Sequence, residues 1–540
     1  MKIHLSLILI LTMCGTLFSQ PYTNIMVSST NSPEEVSICI NPKNLNRIVA
    51  GANIRSFYYS SNSGYNWASG LLSSSYTVWG DDCIICDTLG NFYYWHLTDW
   101  GTNLDKIVCQ KSTDGGMTWS NGTYTISNQP KMQDKEWACV DWTHGQRGNW
   151  IYVTWTQFDD YGTTNPADSS NILFSRSTDG GLTWSQWIRI NKMGGDCWDG
   201  DNTVEGAVPA VGPNGEVYVA WAGPLVRNTQ LGIFFDKSTD GGNTWLANDI
   251  YICNQRGGWD LGGGSSTGYG IKGIQRANGL PVTVCDISNG PYRGNIYVNY
   301  VDSVAPNDRD VMLVKSSNGG LNWSSPIRVN NDAPGKEQFF TWMTVDQTTG
   351  YLYFVFYDRR NYTYPDYSTD VYMARSTDGG STFTNFVVST TPFIPNYNVF
   401  FGDYIGITAA HGVVRPFWMR LSSGNLSVWT AIVDFPVAVE NENNSVPVSY
   451  TLSQNFPNPF NPSTTIKFTV PEFGSTPNHM KLIVYDALGK EVASLVNERL
   501  EAGTYQIEWN ASNQPSGVYF YRLTAGDGSF IQTKKMILVK

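Results

Sequence analysis

Charge is scarce in this 540-residue chain: Asp, Glu, Lys and Arg together make up only 15% of it. The 46 acids outnumber the 35 bases, for a formal net charge of −11. Without a basic footprint, general nucleic-acid binding is excluded. Histidine is scarcer still. Of five, His4 and His479 lie outside the main body, and no H-E-x-x-H occurs, which excludes a zincin-type metalloprotease. Beyond the first 20 residues no apolar run is long enough for a membrane-spanning helix, so no membrane span is expected in the mature chain. Nine cysteines are present and none follows Cys285. Cys83-x-x-Cys86 has no second pair or flanking His, so it reads as buried thiols and not as a metal knuckle. Cys197 and Cys253 sit in polar, Gly-rich stretches and are candidates for a disulfide in an exported protein.

What is abundant is aromatic and turn-forming: 14% aromatics, with 20 Trp, 30 Tyr and 52 Gly. That balance favours an all-β protein with many tight turns. The first 20 residues read as an export signal: Lys2, an apolar stretch from Leu5 to Leu11 broken only by Ser6, and a cleavage point near Ser19 or Gln20. The mature protein is therefore expected to be secreted, to the outer-membrane surface or beyond.

One short motif recurs six times, beginning at Ser60, Ser112, Ser177, Ser238, Ser316 and Ser376, as in STDGGLTW from Ser177. Its closing aromatics are Trp67, Trp119, Trp184, Trp245, Trp323 and Phe383, between 52 and 78 residues apart. A long period with one motif per period means repeated supersecondary units. The Asp or Asn suits an Asx-type turn, the glycines permit positive φ, and the aromatic folds back on the core. These acids are structural staples. Each repeat carries a strand often ending in Asp (Asp87, Asp141, Asp286, Asp346), an aromatic-rich strand such as NFYYW or IYVTW, and a third strand before the motif. With the strand after it, that is a four-stranded propeller blade.

The motif resembles the Asp-box, or bacterial neuraminidase repeat, of sialidase-class β-propellers. Sialidases of that class have six blades. Here DYIGITAA, VVRPFWMR and LSVWTAIVDF supply three strands of another blade, and YTNIMVSS near the N-terminus supplies its fourth. Seven blades over residues 21–435 are expected, with six as the alternative.

A polar linker over 436–449 precedes a second module over 450–540, whose strands alternate about every ten residues. This pattern predicts an immunoglobulin-like β-sandwich. It resembles the type A sorting domain of the type IX secretion system, through Asn455, Pro457, Asn458, Pro459 and Phe460 at its start and Gly517-Val518-Tyr519 near its end. The resemblance implies an export address and engagement of the type IX machinery.

Reading the repeats in register puts Glu35, Asp82, Glu136, Glu205, Glu337 and Asp403 at the loops entering the inner strands. Arg55, Arg227, Arg309, Arg359 and Arg360 collect at the loops after the second strands, on the same face. Carboxylates and guanidinium groups therefore gather at one central mouth, which predicts a glycan or glycoprotein ligand, or a protein partner, there. The sialidase resemblance further implies an exo-α-sialidase chemistry: Arg55, Arg309 and Arg359 as a carboxylate clamp, Tyr404 as nucleophile, Glu205 or Glu337 as its base, and Asp82 as acid. The family's Arg-Ile-Pro motif is missing; the nearest string is Asn46-Arg47-Ile48-Val49. Two functions are thus in play, a binding propeller and an active glycoside hydrolase. No cofactor is called for. Asp196, Asp199, Asp201 and Glu205 gather four carboxylates within ten residues, a set that suits a hard cation such as Ca²⁺ but lacks EF-hand spacing. Gly264-Ser265-Ser266-Thr267-Gly268 matches G-x-S-x-G without a strand-turn-helix context and reads as a Gly-rich loop.

Overall fold

A computed structural model describes residues 22–98, 105–198, 200, 202–226, 230–256, 271–305, 307–435, 447, 449–471, 478–500, 502–511, 514–525, 528 and 530–540. The export signal and the Gly264–Gly268 loop lie outside these residues. Among the described residues every regular element is a strand.

Seven four-stranded antiparallel sheets form the body. Their innermost strands are Val36–Ile40, Cys83–Cys86, Met132–Val140, Glu205–Val211, Val282–Cys285, Gln338–Asp346 and Gly406–Ala410. Each packs on the inner strand of the blade before and after it, and the last closes on the first. This is a seven-bladed β-propeller. The seventh blade combines Gly406–Ala410, Val413–Ser422 and Asn425–Asp434 with Thr23–Ser28 from the start of the chain. The closing strand pairs antiparallel, Thr23 opposite Ile432 and Met26 opposite Trp429. The ring is thus held by a strand from each end of the propeller sequence, as expected from YTNIMVSS.

The aromatic-rich second strands explain the packing between blades. Trp95, Trp155, Trp221 and Trp418 stand within the equivalent second strands of blades two, three, four and seven, and all are fully buried. Fully burying one aromatic removes roughly 150–250 Å² from water, a gross gain of about 4–6 kcal/mol.

The turn motif fastens neighbouring blades. In blade three Ser177 Oγ donates to Asp179 Oδ1 (2.8 Å) and accepts from Gly181 N (2.8 Å). Asp179 Oδ1 also accepts from the Leu182 and Thr183 amides (3.0 Å each), and Oδ2 from the Thr183 hydroxyl (2.5 Å). The same network recurs around Asp114, Asp240 and Asp378. Burial works upward on the Asp240 carboxyl, but the bonds from Thr244, Ser238 and Asn243 outweigh it and hold it at about 2. The closing aromatics cross the blade boundary: Trp184 packs edge-on against Trp95 (4.9 Å between centroids), Trp245 against Phe174 (4.9 Å) and Trp323 against Phe235 (5.1 Å). The second glycine has to be glycine. Gly320 has φ 82°, and a Cβ there would lie 2.2 Å from the Phe235 ring. A basic residue just before the motif adds a further tie: Lys111, Arg176, Lys237 and Lys315 each donate to a first-glycine carbonyl, of Gly180, Gly241, Gly319 and Gly379 in the next blade.

The C-terminal module is a β-sandwich. One sheet pairs Thr451–Leu452, Ser463–Val470 and Gly503–Asn510. The other orders Glu491–Leu500, Asn478–Asp486, Gly517–Ala525 and Ile531–Leu538. Ile466, Phe468, Leu482, Val484, Tyr521 and Leu523 fill the core between them.

The expected disulfide is not formed. All eight described cysteines are free, Cys197 and Cys253 among them. Cys253 lies in the outer strand of blade four, Ile250–Asn254, where its thiol donates to the Tyr300 hydroxyl of blade five (3.5 Å). Cys197 lies in the connection between blades three and four, its carbonyl accepting from Gly162 N (2.7 Å). The two thiols serve opposite sides of blade four.

Candidate functional site at the propeller mouth

The inner strands begin at one end of the ring, and the backbone there is irregular in a repeated way. Six of the seven blades place a residue of positive φ at or just before the start of the inner strand or early within it: Glu35 (46°), Asp81 (55°), Lys135 (49°), Gly206 (76°), Phe340 (46°) and Gly402 (80°). In blades three, four and six it sits in a break of strand register, between Asp134 and Trp137, Glu205 and Val208, and Phe339 and Trp342. A β-bulge leaves residues unpaired and re-aims their side chains. Four of the six are not glycine, so the left-handed conformation is held there against its usual cost.

The bulges line a narrow pocket of ≈ 20 Å³. Lys135, Trp137, Gly206, Leu280, Phe340, Trp342, Asp403 and Tyr404 contribute to its wall. The aromatic rings are contiguous: Trp137 and Trp342 lie 4.3 Å apart between centroids, and Trp137 meets Tyr404 edge-on at 5.5 Å. Both tryptophans are half-buried, while Tyr404 is buried. The Tyr404 hydroxyl donates to the main-chain carbonyl of Asp82 (3.4 Å). The Lys135 ammonium lies 3.4 Å from the centroid of the Tyr404 ring.

Carboxyl groups crowd the same place. Asp82 accepts from the Ser37 amide (3.1 Å) and hydroxyl, and Glu35 from the Asn53 side chain. Asp403 is gripped by Arg276, through Nε (3.0 Å) and Nη2, and Glu35 Oε1 lies 3.9 Å from Arg276 Nη2. Glu136 is fully buried and neither carboxyl oxygen meets a donor. Burial, then the Asp81 charge, pushes the Glu136 and Glu35 carboxyls well up. Burial also raises Asp82, against its bonds from Ser37. Glu34 is raised to about 7 by burial and Asp403, with Arg276 pulling the other way. Burial, followed by Asp81, Asp82, Glu35 and Glu136, drives the Tyr404 hydroxyl well above its usual range.

Of the residues singled out in the sequence, Tyr404, Asp82 and Asp403 meet here, with Glu35 and Glu136. Glu337 does not join them. Its two oxygens are taken by Arg309 Nη1 (3.1 Å) and Arg359 Nη1 (2.5 Å), and all three side chains are buried. Arg359 also donates to Thr369 (3.1 Å). Arg360 turns the other way, to Asp358 (2.7 Å) and the face of Tyr372 (4.1 Å). Arg55 is exposed in the blade-one turn, away from that pair. Glu205 opens the inner strand of blade four, buried and opposite Ala222. Arg227, Asp199 and Asp201 lie outside the described residues. Asp196 accepts from Thr203 (3.2 Å) and the Trp198 amide (3.4 Å). Among the described residues no group of three His, Cys, Asp or Glu has the spacing of a metal site. The sequence reading had not picked out Lys135, Trp137, Trp342, Asp81 or Arg276. The tryptophans read as strand interior, and Arg276 comes from a connection with no repeat to align it.

Solved structures similar in fold include an ulvan lyase of polysaccharide lyase family PL25 bound to -[GlcA(1-4)Rha3S]- (10% identity, 76% of this chain and 96% of that one, TM-score 0.47). A Trypanosoma rangeli sialidase in complex with the inhibitor DANA matches at 11% identity, over 87% of this chain and 85% of that one (TM-score 0.38). YCF48 from Cyanidioschyzon merolae matches at 10% identity, over 76% and 98% (TM-score 0.39). A search of curated proteins gave no match. Among the described residues no helix is long and apolar enough to cross a membrane. Residues 454–540 match the Secretion system C-terminal sorting domain, so the chain joins a seven-bladed β-propeller to a sorting tail that points to export.

Proposed function

We propose that this exported propeller is a saccharide-binding protein of the cell surface whose ligand sits in the central mouth pocket, and that residues 450–540 are its type IX export address. The observation that carries the reading is the half-buried Trp137–Trp342 aromatic platform lining the pocket, with Lys135, Asn278 and Asp403 beside it. Sugar rings stack their C–H faces on such aromatics while their hydroxyls bond polar neighbours. Probing an array of immobilised glycans with the full chain tests the reading. Binding is expected to a subset of saccharides and to be lost in Trp137→Ala; equal binding by both proteins would refute it.

A second reading, an exo-α-sialidase-type hydrolase with Tyr404 as nucleophile, has carboxyl groups near that hydroxyl, but burial and then Asp81, Asp82, Glu35 and Glu136 hold it well above its usual range and so protonated. A general base must reach the proton it takes. Here that hydroxyl donates to a main-chain carbonyl, and Glu337 is engaged by two arginines. Binding is therefore the preferred reading. Release of free sugar by the full chain, abolished in Tyr404→Phe, would reverse the preference.

A further inference from the structure

We infer that the protein carries a second binding site, a groove at the outer edge of blade seven, and that this groove takes a saccharide bearing an anionic group. The groove has a volume of ≈ 370 Å³ and shares no residue with the central pocket. Small-ligand sites begin at about 300 Å³. Strand register builds most of the wall: Arg420 stands opposite Ser427, Ser422 opposite Asn425 and Met26 opposite Trp429. Side chains alternate along a strand, so all six share one face of the blade. Thr390 and Thr391, from the connection between blades six and seven, complete the wall. The second strand of a blade returns to the mouth end, so the Ser422–Asn425 turn puts the groove on that side, outside the ring of inner strands. Met26 belongs to the closing strand, so the groove depends on the seventh blade.

The groove holds one charge, and it is positive. Among the described residues no Asp or Glu lines it, and Arg420 has no ion-pair partner. Burial pulls the Arg420 pKa down, and no carboxylate counters that. A half-buried cation without a counter-charge gains from an arriving anion, because a charge-assisted hydrogen bond is stronger there than in water. The guanidinium is fixed before any ligand arrives. Its Nη2 donates to the Thr391 hydroxyl (2.6 Å) and the Pro392 carbonyl (3.2 Å), which leaves Nε and Nη1 for an acceptor. Its carbon lies 5.4 Å from the centroid of the Trp429 ring. That ring is held in turn: Trp429 Nε1 donates to Ser427 Oγ (2.9 Å), which donates to the Arg420 carbonyl (3.2 Å). Groups ordered in advance lose less freedom on binding. The remaining polar wall is neutral and exposed: Ser29, Thr390, Thr391, Ser422 and Asn425. Hydroxyls that both donate and accept match the hydroxyls of a sugar, and the partly exposed indole offers a face to its ring. Arg420 supplies the charge that selects the acid.

The test is calorimetric titration of the full chain with three probes. They are a galacturonate disaccharide, its methyl ester, which keeps the rings and loses the charge, and an N-acetylated glutamate dipeptide, which keeps carboxylates and loses the rings. The galacturonate disaccharide is expected to bind about tenfold tighter than its ester, by a margin that shrinks with salt. It should also bind about tenfold tighter than the dipeptide. Arg420→Gln should bring galacturonate down to the affinity of the ester. Thr390→Trp, which fills the groove from an exposed position and leaves Arg420 in place, should weaken both saccharides about tenfold. Trp137→Ala in the central pocket should leave galacturonate binding unchanged. Equal affinity for the acid and its ester overturns the inference, as does no binding of galacturonate at all. Dipeptide binding as tight as galacturonate overturns the saccharide class. Galacturonate binding lost in Trp137→Ala but kept in Arg420→Gln and Thr390→Trp overturns the groove and assigns that ligand to the mouth. None of these results removes the mouth reading, which the glycan array tests separately.

Discussion

The two ends of the propeller are built from the same seven blades by opposite means. At the motif end, five of the six turns use glycine at both positive-φ positions, the first having Ser63 (57°) at one of them, and in blade three the Ser177–Asp179 pair finds its partners within the turn. At the mouth, four of six positive-φ positions carry large or charged side chains, and buried carboxyl oxygens of Glu136 and Asp82 lack donors. One end is locally consistent and repeats six times. The other spends stability to hold a particular set of groups together. Natural sequences tend to break local rules where they act, so the contrast itself marks the mouth as the working end and the motif end as the fastening.

Four substitutions or titrations sharpen or break this division. The largest effect is expected at the motif end. Gly320→Ala drives a Cβ into Phe235 at a φ of 82° and should cost more than about 3 kcal/mol, read by denaturant unfolding. Next is the pH dependence of the mouth. Glu34, raised to about 7 when folded from 4.5, keeps its proton longer in the folded state. Its contribution is therefore full below 4.5, is lost as pH climbs from 4.5 to 7, and is level above. Glu34→Gln should flatten the stability profile in that window by up to about 2–3 kcal/mol, less screening by solvent. Glu136→Gln should stabilise the protein by about 1–2 kcal/mol at alkaline pH and much less in acid, since burying the ionised carboxyl is what it removes. A loss at alkaline pH would mean the carboxylate is structurally satisfied and the mouth is not under strain. The smallest effect belongs to a single motif acid. Asp179→Ala removes an exposed turn network and should cost about 1 kcal/mol, without touching ligand binding.

Much of the motif end was legible in the sequence because its chemistry is local. Six Ser-to-aromatic turns, the aromatic second strands and a leftover strand near Asn24 suffice to give seven blades, and the ring closes as those residues imply. Even the inter-blade tie had a visible signal, a Lys or Arg directly before Ser112, Ser177, Ser238 and Ser316. The mouth was legible only in outline. Asp82, Tyr404 and Asp403 were placed at it, but the repeats were aligned as if inner strands began in the same way. The bulges at Lys135, Gly206 and Phe340 shift that register, and no residue type announces a left-handed Lys or Phe. Trp137 and Trp342, about two hundred residues apart, meet only when the ring closes. Arg359 and Arg360 show the complementary case. Adjacent in sequence, they point apart, and neither faces the pocket: one is buried against Glu337 and the other packs on Tyr372.

The central claim is that ligand binding belongs to the mouth and fastening to the motif end. Its most direct measurement is calorimetric titration of the best saccharide ligand into three full-length proteins: wild type, Trp137→Ala at the mouth and Leu182→Ala, an exposed motif-end residue. The expected result is a loss of affinity of tenfold or more in Trp137→Ala, equivalent to about 1.4 kcal/mol or greater, with Leu182→Ala indistinguishable from wild type. Unchanged affinity in Trp137→Ala, or a loss confined to Leu182→Ala, would contradict it.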